Sequence, residues 1–207
     1  SPTTCGGRMP CNPAYRQAIM LAWDSIAGIP DKELASASKG ELRGRELVLQ
    51  TVGQETIVDL ADRCLTAPDV LGGGWGLATL HHLKGCLTWK RDEEWTSFDM
   101  LPSGRPFAEA FRQRALKPLT ERYGKFPDDL LKDGAALGGT KIDLGDAAIV
   151  VQAFPRLKVA IAAWQGDDEV PGRAVMLFDA GGARTLPAED LAEVGISIAQ
   201  ALLSTDR

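Results

Sequence analysis

Two adjacent histidines and four cysteines are the side chains of this sequence best suited to hold a metal or a cofactor. On a helix, His81 and His82 point about 100° apart and cannot bind one ion from the same face. His82 and Cys86 are four residues apart, so a helix would place an imidazole and a thiolate on one face as two metal ligands. Cys5 and Cys11 would complete such a site if the N-terminal segment folds back. Alternatively, Cys86 is a small buried apolar residue and the N-terminal pair lies in a flexible tail.

His81 and the tryptophans are the side chains that could form a pocket for a flat cofactor. His81 follows Leu77 and Leu80 on the apolar side of the same helix, so it could be an axial ligand of a tetrapyrrole or a general base. It could equally be a histidine at the edge of the core. Four tryptophans would line an apolar ligand pocket if they converge, or else belong to the core: Trp75, Trp89, Trp95 and Trp164.

Three carboxylates occupy strand ends in the last third of the chain. Asp146 begins one predicted strand, Asp168 lies between the next two, and Asp179 ends the third. We expect them to meet at a sheet edge as acid and base groups or hard-metal ligands, with His81 as a proton carrier. Turn formation explains aspartates at these positions equally well. The sequence contains no G-x-S-x-G, H-E-x-x-H, Walker or G-x-G-x-x-G motif that would indicate a particular reaction.

The spacing of apolar residues predicts the helices that position these side chains. Asn12 and Pro13 indicate the start of a first helix, which Gly28 and Pro30 end. Further helices are predicted over 31–38, 70–86, 106–123, 127–137 and 188–203. The glycines at 72–76 either mark a close backbone approach or delay the third helix to about Trp75.

Strands are predicted in two separate parts of the chain. Residues 46–52 and 55–60 form a hairpin with a tight turn at Gly53-Gln54. Residues 146–154, 157–164 and 173–178 form a three-stranded antiparallel meander before the last helix. The predicted fold class is therefore α+β, with helices and a short hairpin in the N-terminal two thirds. Residues 1–12 are expected to be a flexible cysteine-containing segment and residues 13–207 a single domain.

Composition excludes several classes of function. The chain has 23 basic and 28 acidic side chains and a net charge of −5, so it has no basic footprint for nucleic acid. No run approaches the eighteen or so apolar residues of a membrane span. The sequence begins Ser-Pro-Thr-Thr without a basic and apolar leader, and we expect a cytoplasmic location.

Motifs spread over most of the chain carry a family resemblance. The upstream motifs are Leu80-His81-His82-Leu83, Glu94-Trp95-Thr96-Ser97-Phe98 and Leu101-Pro102-Ser103-Gly104. The C-terminal motifs are Gly145-Asp146, Phe154-Pro155-Arg156, Trp164-Gln165-Gly166-Asp167-Asp168-Glu169-Val170-Pro171, Leu177-Phe178-Asp179-Ala180 and Leu186-Pro187-Ala188-Glu189-Asp190-Leu191. Together, from about Tyr15 to Leu203, they resemble an uncharacterised domain-of-unknown-function family of anaerobic prokaryotes.

The resemblance implies no particular reaction, but it implies a cofactor nearby. Members of the family often stand beside, or are fused to, small cysteine-rich iron–sulfur modules like those of corrinoid proteins in one-carbon metabolism. Cys5-Gly6-Gly7 and Cys11 are similar to the end of such a module. Two cysteines are too few for a four-thiolate cluster. A cluster would also need Cys64 and Cys86, or a homodimer in which a second subunit contributes its own pair.

Three functional hypotheses follow. The first is a non-catalytic cofactor-binding or accessory domain in anaerobic redox or corrinoid-linked metabolism, with a corrinoid or iron–sulfur protein as partner. Its cofactor would be a tetrapyrrole, haem or corrinoid, bound through His81, His82, Trp75 and Trp95, or an iron–sulfur cluster bound through Cys5, Cys11, Cys64 and Cys86. The second is a small-molecule enzyme that uses the carboxylate cluster. The third is a protein-interaction module.

Overall fold

The computed structural model describes residues 12–101 and 103–205, which form helices and two antiparallel sheets. The helices are α1 (Pro13–Ile26), α2 (Asp31–Ser38), α3 (Trp75–Cys86), α4 (Ala108–Phe111), α5 (Lys117–Tyr123), α6 (Pro127–Ala136), α7 (Ala180–Ala183) and α8 (Ala188–Ser204). The strands are β1 (Glu41–Arg43), β2 (Glu46–Thr51), β3 (Gln54–Asp59), β4 (Cys64–Thr66), β5 (Trp95–Ser97), β6 (Thr140–Lys141), β7 (Ala147–Phe154), β8 (Leu157–Trp164) and β9 (Arg173–Asp179). The predicted α+β class is confirmed. Among the described helices, none combines the length and the hydrophobicity that a membrane-spanning helix requires.

Helix α1 begins where the sequence predicts. The Asn12 side chain accepts a hydrogen bond from the Ala14 amide at 3.0 Å, which satisfies one of the free N–H groups of the first turn. Pro13 occupies the first helical position, where its missing N–H costs nothing. The helix ends before Gly28, whose φ of +80° a residue with a side chain rarely adopts.

The predicted hairpin is the centre of a four-stranded sheet with strand order β1-β2-β3-β4. Its turn lies at Val52-Gly53, one residue earlier than predicted, and both residues have positive φ. A Cβ on Gly53 would lie 2.9 Å from the Gly138 backbone, so the close approach requires glycine. The Val52 amide donates to the Gln152 carbonyl at 2.8 Å and joins this sheet to the second one.

The predicted meander is the centre of a five-stranded sheet with strand order β5-β9-β8-β7-β6. Strands β7 and β8 are buried along most of their length because α6 packs on β7 and β2 also contacts it. This burial explains their nearly continuous apolar sequences. Polar side chains interrupt them at two positions, Gln152 in β7 and Lys158 in β8.

The predicted 106–123 helix is irregular. It follows a 3₁₀ turn (Arg105–Phe107) and contains a π-helical segment (Arg112–Leu116) between α4 and α5. Pro118 lies in the first turn of α5, and its lack of an N–H prevents it from donating the regular helical hydrogen bond. The helix accommodates Pro118 with a π-bulge just upstream.

Both interpretations of the glycines before α3 are correct. The helix begins at Trp75, and α8 passes close to the preceding loop. A Cβ on Gly72 would lie 3.1 Å from the Ser197 hydroxyl, and one on Gly74 would lie 3.4 Å from the Glu193 Cβ. The glycines allow α3 and α8 to pack closely, which positions the histidines of α3 against the start of α8.

Candidate functional site

A cavity of about 510 Å³ lies at one end of the five-stranded sheet. Four of its lining side chains come from four neighbouring strands. Trp95 of β5 is paired with Asp179 of β9, and Lys158 of β8 is paired with Gln152 of β7. The Lys158 amide donates to Asp179 Oδ2 at 2.5 Å and joins the two pairs. Directly paired residues project on the same face of a sheet, so these four form one row, which we call the floor row.

The walls of the cavity come from segments that enclose the floor row. One wall is the chain that follows α3, another is the turn between β7 and β8, and Lys39 is contributed by the end of α2. The Gln152 side chain donates to the Phe154 and Leu157 carbonyls at 2.5 and 3.3 Å, which fixes that turn. The wall residues are Lys39, Trp89, Arg91, Asp92, Glu93, Pro155 and Arg156.

Arg156 is held in place by two contacts. Its Nε donates to the Ala37 carbonyl at 2.9 Å, and its guanidinium carbon lies 4.0 Å from the centroid of the Trp89 ring. The terminal N–H groups of the guanidinium have no hydrogen-bond partner in the described part of the chain. A planar fork of donors is therefore already oriented beside the cavity.

The cavity has more cations than its carboxylates neutralise. Arg91 pairs with Glu93 at 2.9 Å, and Asp92 pairs with Arg184 at 2.8 Å. No ion pair to Lys39, Arg156 or Lys158 occurs within residues 12–101 and 103–205. Three positive charges therefore have no directly paired carboxylate at this site.

Asp179 is the buried carboxylate of the floor row, with 9% of its surface exposed. It caps α7, since its Oδ1 accepts from the Gly182 amide at 2.6 Å while Oδ2 accepts from Lys158. Burial raises the pKa of Asp179 above its ordinary value, and the two backbone amides and the Lys158 charge oppose that rise. Each oxygen retains one lone pair that can accept another hydrogen bond.

Behind Arg156, His82 and Cys86 form a buried hydrogen-bonded pair. Cys86 Sγ lies 3.3 Å from His82 Nε2, and His82 Nδ1 lies 2.7 Å from the Thr185 hydroxyl. The Thr185 hydroxyl donates its single proton to the Gly182 carbonyl at 2.6 Å, so it accepts from His82 Nδ1–H. His82 Nε2 is then the acceptor for the Cys86 thiol. The helical spacing predicts this juxtaposition correctly.

The environment keeps both members of this pair neutral. Burial, together with the smaller effect of the positive charge of Arg156, lowers the pKa of His82 to about 3. Burial also raises the pKa of Cys86 to about 12, against the effect of Arg156. At neutral pH Cys86 is a thiol rather than the thiolate that binds metals or attacks substrates. The arrangement ties α3 to the segment that precedes α8.

The four residues predicted to bind a tetrapyrrole lie in three places. Trp95 alone lines the cavity, where 42% of its surface is exposed. Trp75 and His82 stack on Phe154, with ring centroids 4.9 and 4.5 Å away. His81 is half-exposed, and its Nδ1 is paired with the Asp190 carboxylate.

The four tryptophans predicted to converge do so only in part. Trp89 and Trp95 both line the cavity. Trp75 is buried in the core, and Trp164 is covered by the Arg173 guanidinium at 4.1 Å. Two tryptophans therefore contribute to this cavity and two do not.

The predicted cysteine ligand set is described only in part. Cys5 and Cys11 lie outside the described residues, so the iron–sulfur cluster stays a prediction. Cys64 begins β4 and takes part in a disulfide, and Cys86 donates to His82. In the part of the chain that the structure describes, no three or more histidine, cysteine, aspartate or glutamate side chains are grouped to hold a metal ion.

The three carboxylates expected to meet at one sheet edge are not brought together. Asp146 lies beside the end of β8, since its amide donates to the Ala163 carbonyl, and Asp168 follows in the loop at that same end. Asp179 lies beside Lys158, at the start of β8. At 3.4 Å per residue, Lys158 and Trp164 are about 20 Å apart along the strand. Proton-transfer partners must share one substrate, so this set does not form a catalytic site.

Sequence reasoning missed the charged residues of the cavity other than Asp179, including the three cations that form no ion pair, Lys39, Arg156 and Lys158. One signal was present: Gln152 and Lys158 are the polar residues in two otherwise apolar strands. A polar side chain in a buried strand requires a hydrogen bond, a charge partner or a wet cavity. Their symmetric positions beside the Pro155-Arg156 turn therefore indicate that this end of the sheet is a cavity.

Comparison with known proteins identifies a family but no activity. Residues 32–201 match the model of a family described as a domain of unknown function, DUF3786. No curated protein and no solved structure matches the chain. The resemblance to a family of unknown function is thereby confirmed, over a slightly shorter range than the motifs indicate. Because the match extends over more than half of the 207 residues, the chain belongs to the DUF3786 family.

Proposed function

We propose that this protein is a non-catalytic cofactor-binding domain that holds an anionic, ring-bearing molecule in the cavity above the floor row. The observation that carries the proposal is the lining of this cavity, where two tryptophans stand beside three cations that form no ion pair within the described residues. Positive charges placed close together repel each other unless an anion neutralises them. An anionic ligand would therefore stabilise the site as well as occupy it.

The size and chemistry of the cavity favour a small molecule rather than a protein surface. Ligand sites usually enclose about 300–1,000 Å³ and combine aromatic walls with a few placed polar groups. The cavity has this size and composition. Arg156 adds geometric specificity, since a guanidinium fork binds carboxylates and phosphates in a bidentate manner.

The surroundings of the cavity support binding without chemistry. The only thiol and imidazole near Arg156 in the described chain are Cys86 and His82, and both are neutral and bonded to each other. A nucleophile needs a lowered pKa or an adjacent general base that faces the substrate. A bound ligand would accordingly be released unaltered.

A tetrapyrrole with acidic side chains remains a candidate cofactor. The residues present fit its edge and its ring: Arg156, Lys39 and Lys158 would hold the carboxylates and Trp95 would contact the macrocycle. They offer no axial histidine, because both nitrogens of His82 are bonded and His81 does not line the cavity. When bound, such a group would supply redox or group-transfer chemistry, and the protein would hold it and shield it from water.

The same proposal covers the metabolic role, the cellular location and the partners of the protein. The family resemblance supports a role in anaerobic redox or corrinoid-linked metabolism, in the cytoplasm, with a corrinoid or iron–sulfur protein as partner. A homodimer would contribute two copies of the N-terminal cysteines. The described cysteines do not fit an iron–sulfur cluster, since Cys64 is in a disulfide and Cys86 is a hydrogen-bonded thiol.

Haem and a corrinoid are the first probes of this function. We expect saturable binding of at least one of them in an absorption titration, with the ligand recovered chemically unchanged. The Arg156→Met variant keeps an apolar side chain on Trp89 but loses the charge, and its affinity should be lower by about tenfold or more. The Lys125→Gln variant removes an exposed lysine outside the cavity and should bind like the wild type.

Two results would contradict the proposed function. One is chemical turnover of a bound ligand. The other is the absence of cavity-dependent binding for every ring-bearing anion tried, including haem, the corrinoid and the nucleotides described below. Thermal unfolding of Arg156→Met establishes that a lost affinity comes from the site and not from misfolding.

A further inference from the structure

We infer that the cavity is a binding site for a nucleoside phosphate, with the base on Trp95, the sugar hydroxyls at Asp179 and the phosphates at Arg156, Lys39 and Lys158. The inference rests on the proposed function and specifies its ligand class. It follows from the order of side chains along the floor row.

Along the floor row, an aromatic ring, a hydrogen-bond acceptor and a cation follow one another in space. Trp95, Asp179 and Lys158 belong to adjacent strands of the order β5-β9-β8. Neighbouring strands lie about 4.8 Å apart, so Trp95 and Lys158 are separated by about 10 Å. A nucleotide has the same order of parts over a comparable length: a flat base, a sugar with hydroxyl donors, and a phosphate group.

Trp95 is the tryptophan available for stacking. The face of Trp89 is covered by the Arg156 guanidinium at 4.0 Å, so Trp89 serves to orient that group. Trp95 is 42% exposed although it lines the cavity, which is unusual for a large apolar side chain. Every nucleobase has a flat face that stacks on an aromatic ring, so Trp95 would accept a base without strong selectivity among bases.

Asp179 distinguishes a nucleotide from a tetrapyrrole. Each of its oxygens already accepts one backbone amide and has a further lone pair. An apolar macrocycle would leave these lone pairs without a donor, so it should bind less tightly than a ligand with hydroxyl groups. Sugar hydroxyls instead donate to a carboxylate, as the ribose does in dinucleotide-binding sites.

The cations match phosphate in number and geometry. Arg156 has an unpaired guanidinium edge held rigidly by Ala37 and Trp89. Lys39 and Lys158 add two point charges from different elements of the cavity lining. One carboxylate would neutralise one of these three charges, whereas a diphosphate neutralises most of them.

Calorimetric titration with ADP, GDP, CDP and UDP tests the inference, with adenosine and inorganic pyrophosphate as partial ligands. We expect at least one nucleoside diphosphate to bind, and both partial ligands to bind at least about tenfold more weakly than the tightest of the four diphosphates. Trp95→Ala should weaken binding by about tenfold through lost stacking, and Lys158→Gln by about tenfold through a lost charged hydrogen bond. Both side chains are exposed, so neither change threatens the fold.

Matched variants separate the cavity from general surface effects. Phe126→Ala removes an exposed aromatic ring, and Lys125→Gln an exposed lysine, and neither residue lines the cavity. Both should bind nucleotide like the wild type. The inference is overturned if none of the four diphosphates binds, or if binding is unaffected by Trp95→Ala and Lys158→Gln. Binding of haem without binding of any nucleotide would overturn it and leave the proposed function intact.

Discussion

Replacing Gly85 with alanine is expected to destabilise the protein by about 3–5 kcal/mol. A Cβ at Gly85 would lie 2.0 Å from the Thr185 carbonyl oxygen and 2.6 Å from its carbon. Both atoms belong to the backbone, so α3 and the segment before α8 must move apart. That movement breaks the hydrogen bond from His82 to Thr185 and leaves buried polar groups unpaired. Urea unfolding followed by circular dichroism measures the loss.

Gly76 provides a matched control in the same helix. A Cβ there would meet Leu65 and Ile19 only at 3.6 and 3.8 Å, which is ordinary van der Waals contact. Alanine is the better helix former, so Gly76→Ala should leave stability unchanged or raise it by up to about 1 kcal/mol. The close approach of α3 to Thr185 would be refuted if Gly85→Ala and Gly76→Ala unfold at similar urea concentrations. Failure of Gly85→Ala alone to fold agrees with the prediction.

The sequence predicts those elements whose signals are local. Asn12 and Pro13 cap α1 by themselves, and the apolar runs of β7, β8 and β9 are long enough to be recognised. Strands β1, β4, β5 and β6 have two or three residues each, too few to show a periodicity of two. They form because longer strands offer them a hydrogen-bonding edge, and this depends on the tertiary fold.

The candidate site is less predictable because it is assembled by strand register. Trp95 and Asp179 are far apart in the sequence and meet only through the pairing of β5 with β9. Asp179 was expected to join Asp146, but an antiparallel meander sends the two to opposite ends of the sheet. In contrast, His82 and Cys86 lie on one helix, and a spacing of four residues was sufficient to predict their contact.

The buried pair and the cavity are mechanically linked through Arg156 and Trp89. Trp89 lies shortly after the end of α3, and its amide donates to the Cys86 carbonyl at 3.1 Å. The indole in turn supports the guanidinium that faces the cavity. Hydrogen bonds from Cys86 through His82 to Thr185 therefore fix the end of the helix from which one wall of the cavity begins. This gives the His82–Cys86 pair a structural role that needs no metal.

Between pH 6.5 and 5.0, the free energy of unfolding of the wild type should fall by about 1.5 kcal/mol more than that of His82→Asn. The folded pKa of His82 is about 3, below the 6.5 of an unperturbed histidine. Between these values the unfolded chain binds a proton that the folded chain does not, so stability falls as the pH falls through this window. Asparagine retains a donor for Thr185 and does not titrate.

His81→Asn is the control for the pH prediction, because it removes the neighbouring imidazole and leaves His82 in place. As the pH falls, the free energy of unfolding of His81→Asn should show the extra decrease that comes from protonation of His82 in the unfolded chain. That of His82→Asn should not show it. The chain has two histidines, so proton NMR of the wild type gives an independent reading. One imidazole signal should remain in its neutral position down to about pH 4, since burial disfavours the charged ring. A His82 imidazole that titrates near pH 6.5 would show that the ring is open to water, and the proposed anchoring of α3 would then be wrong.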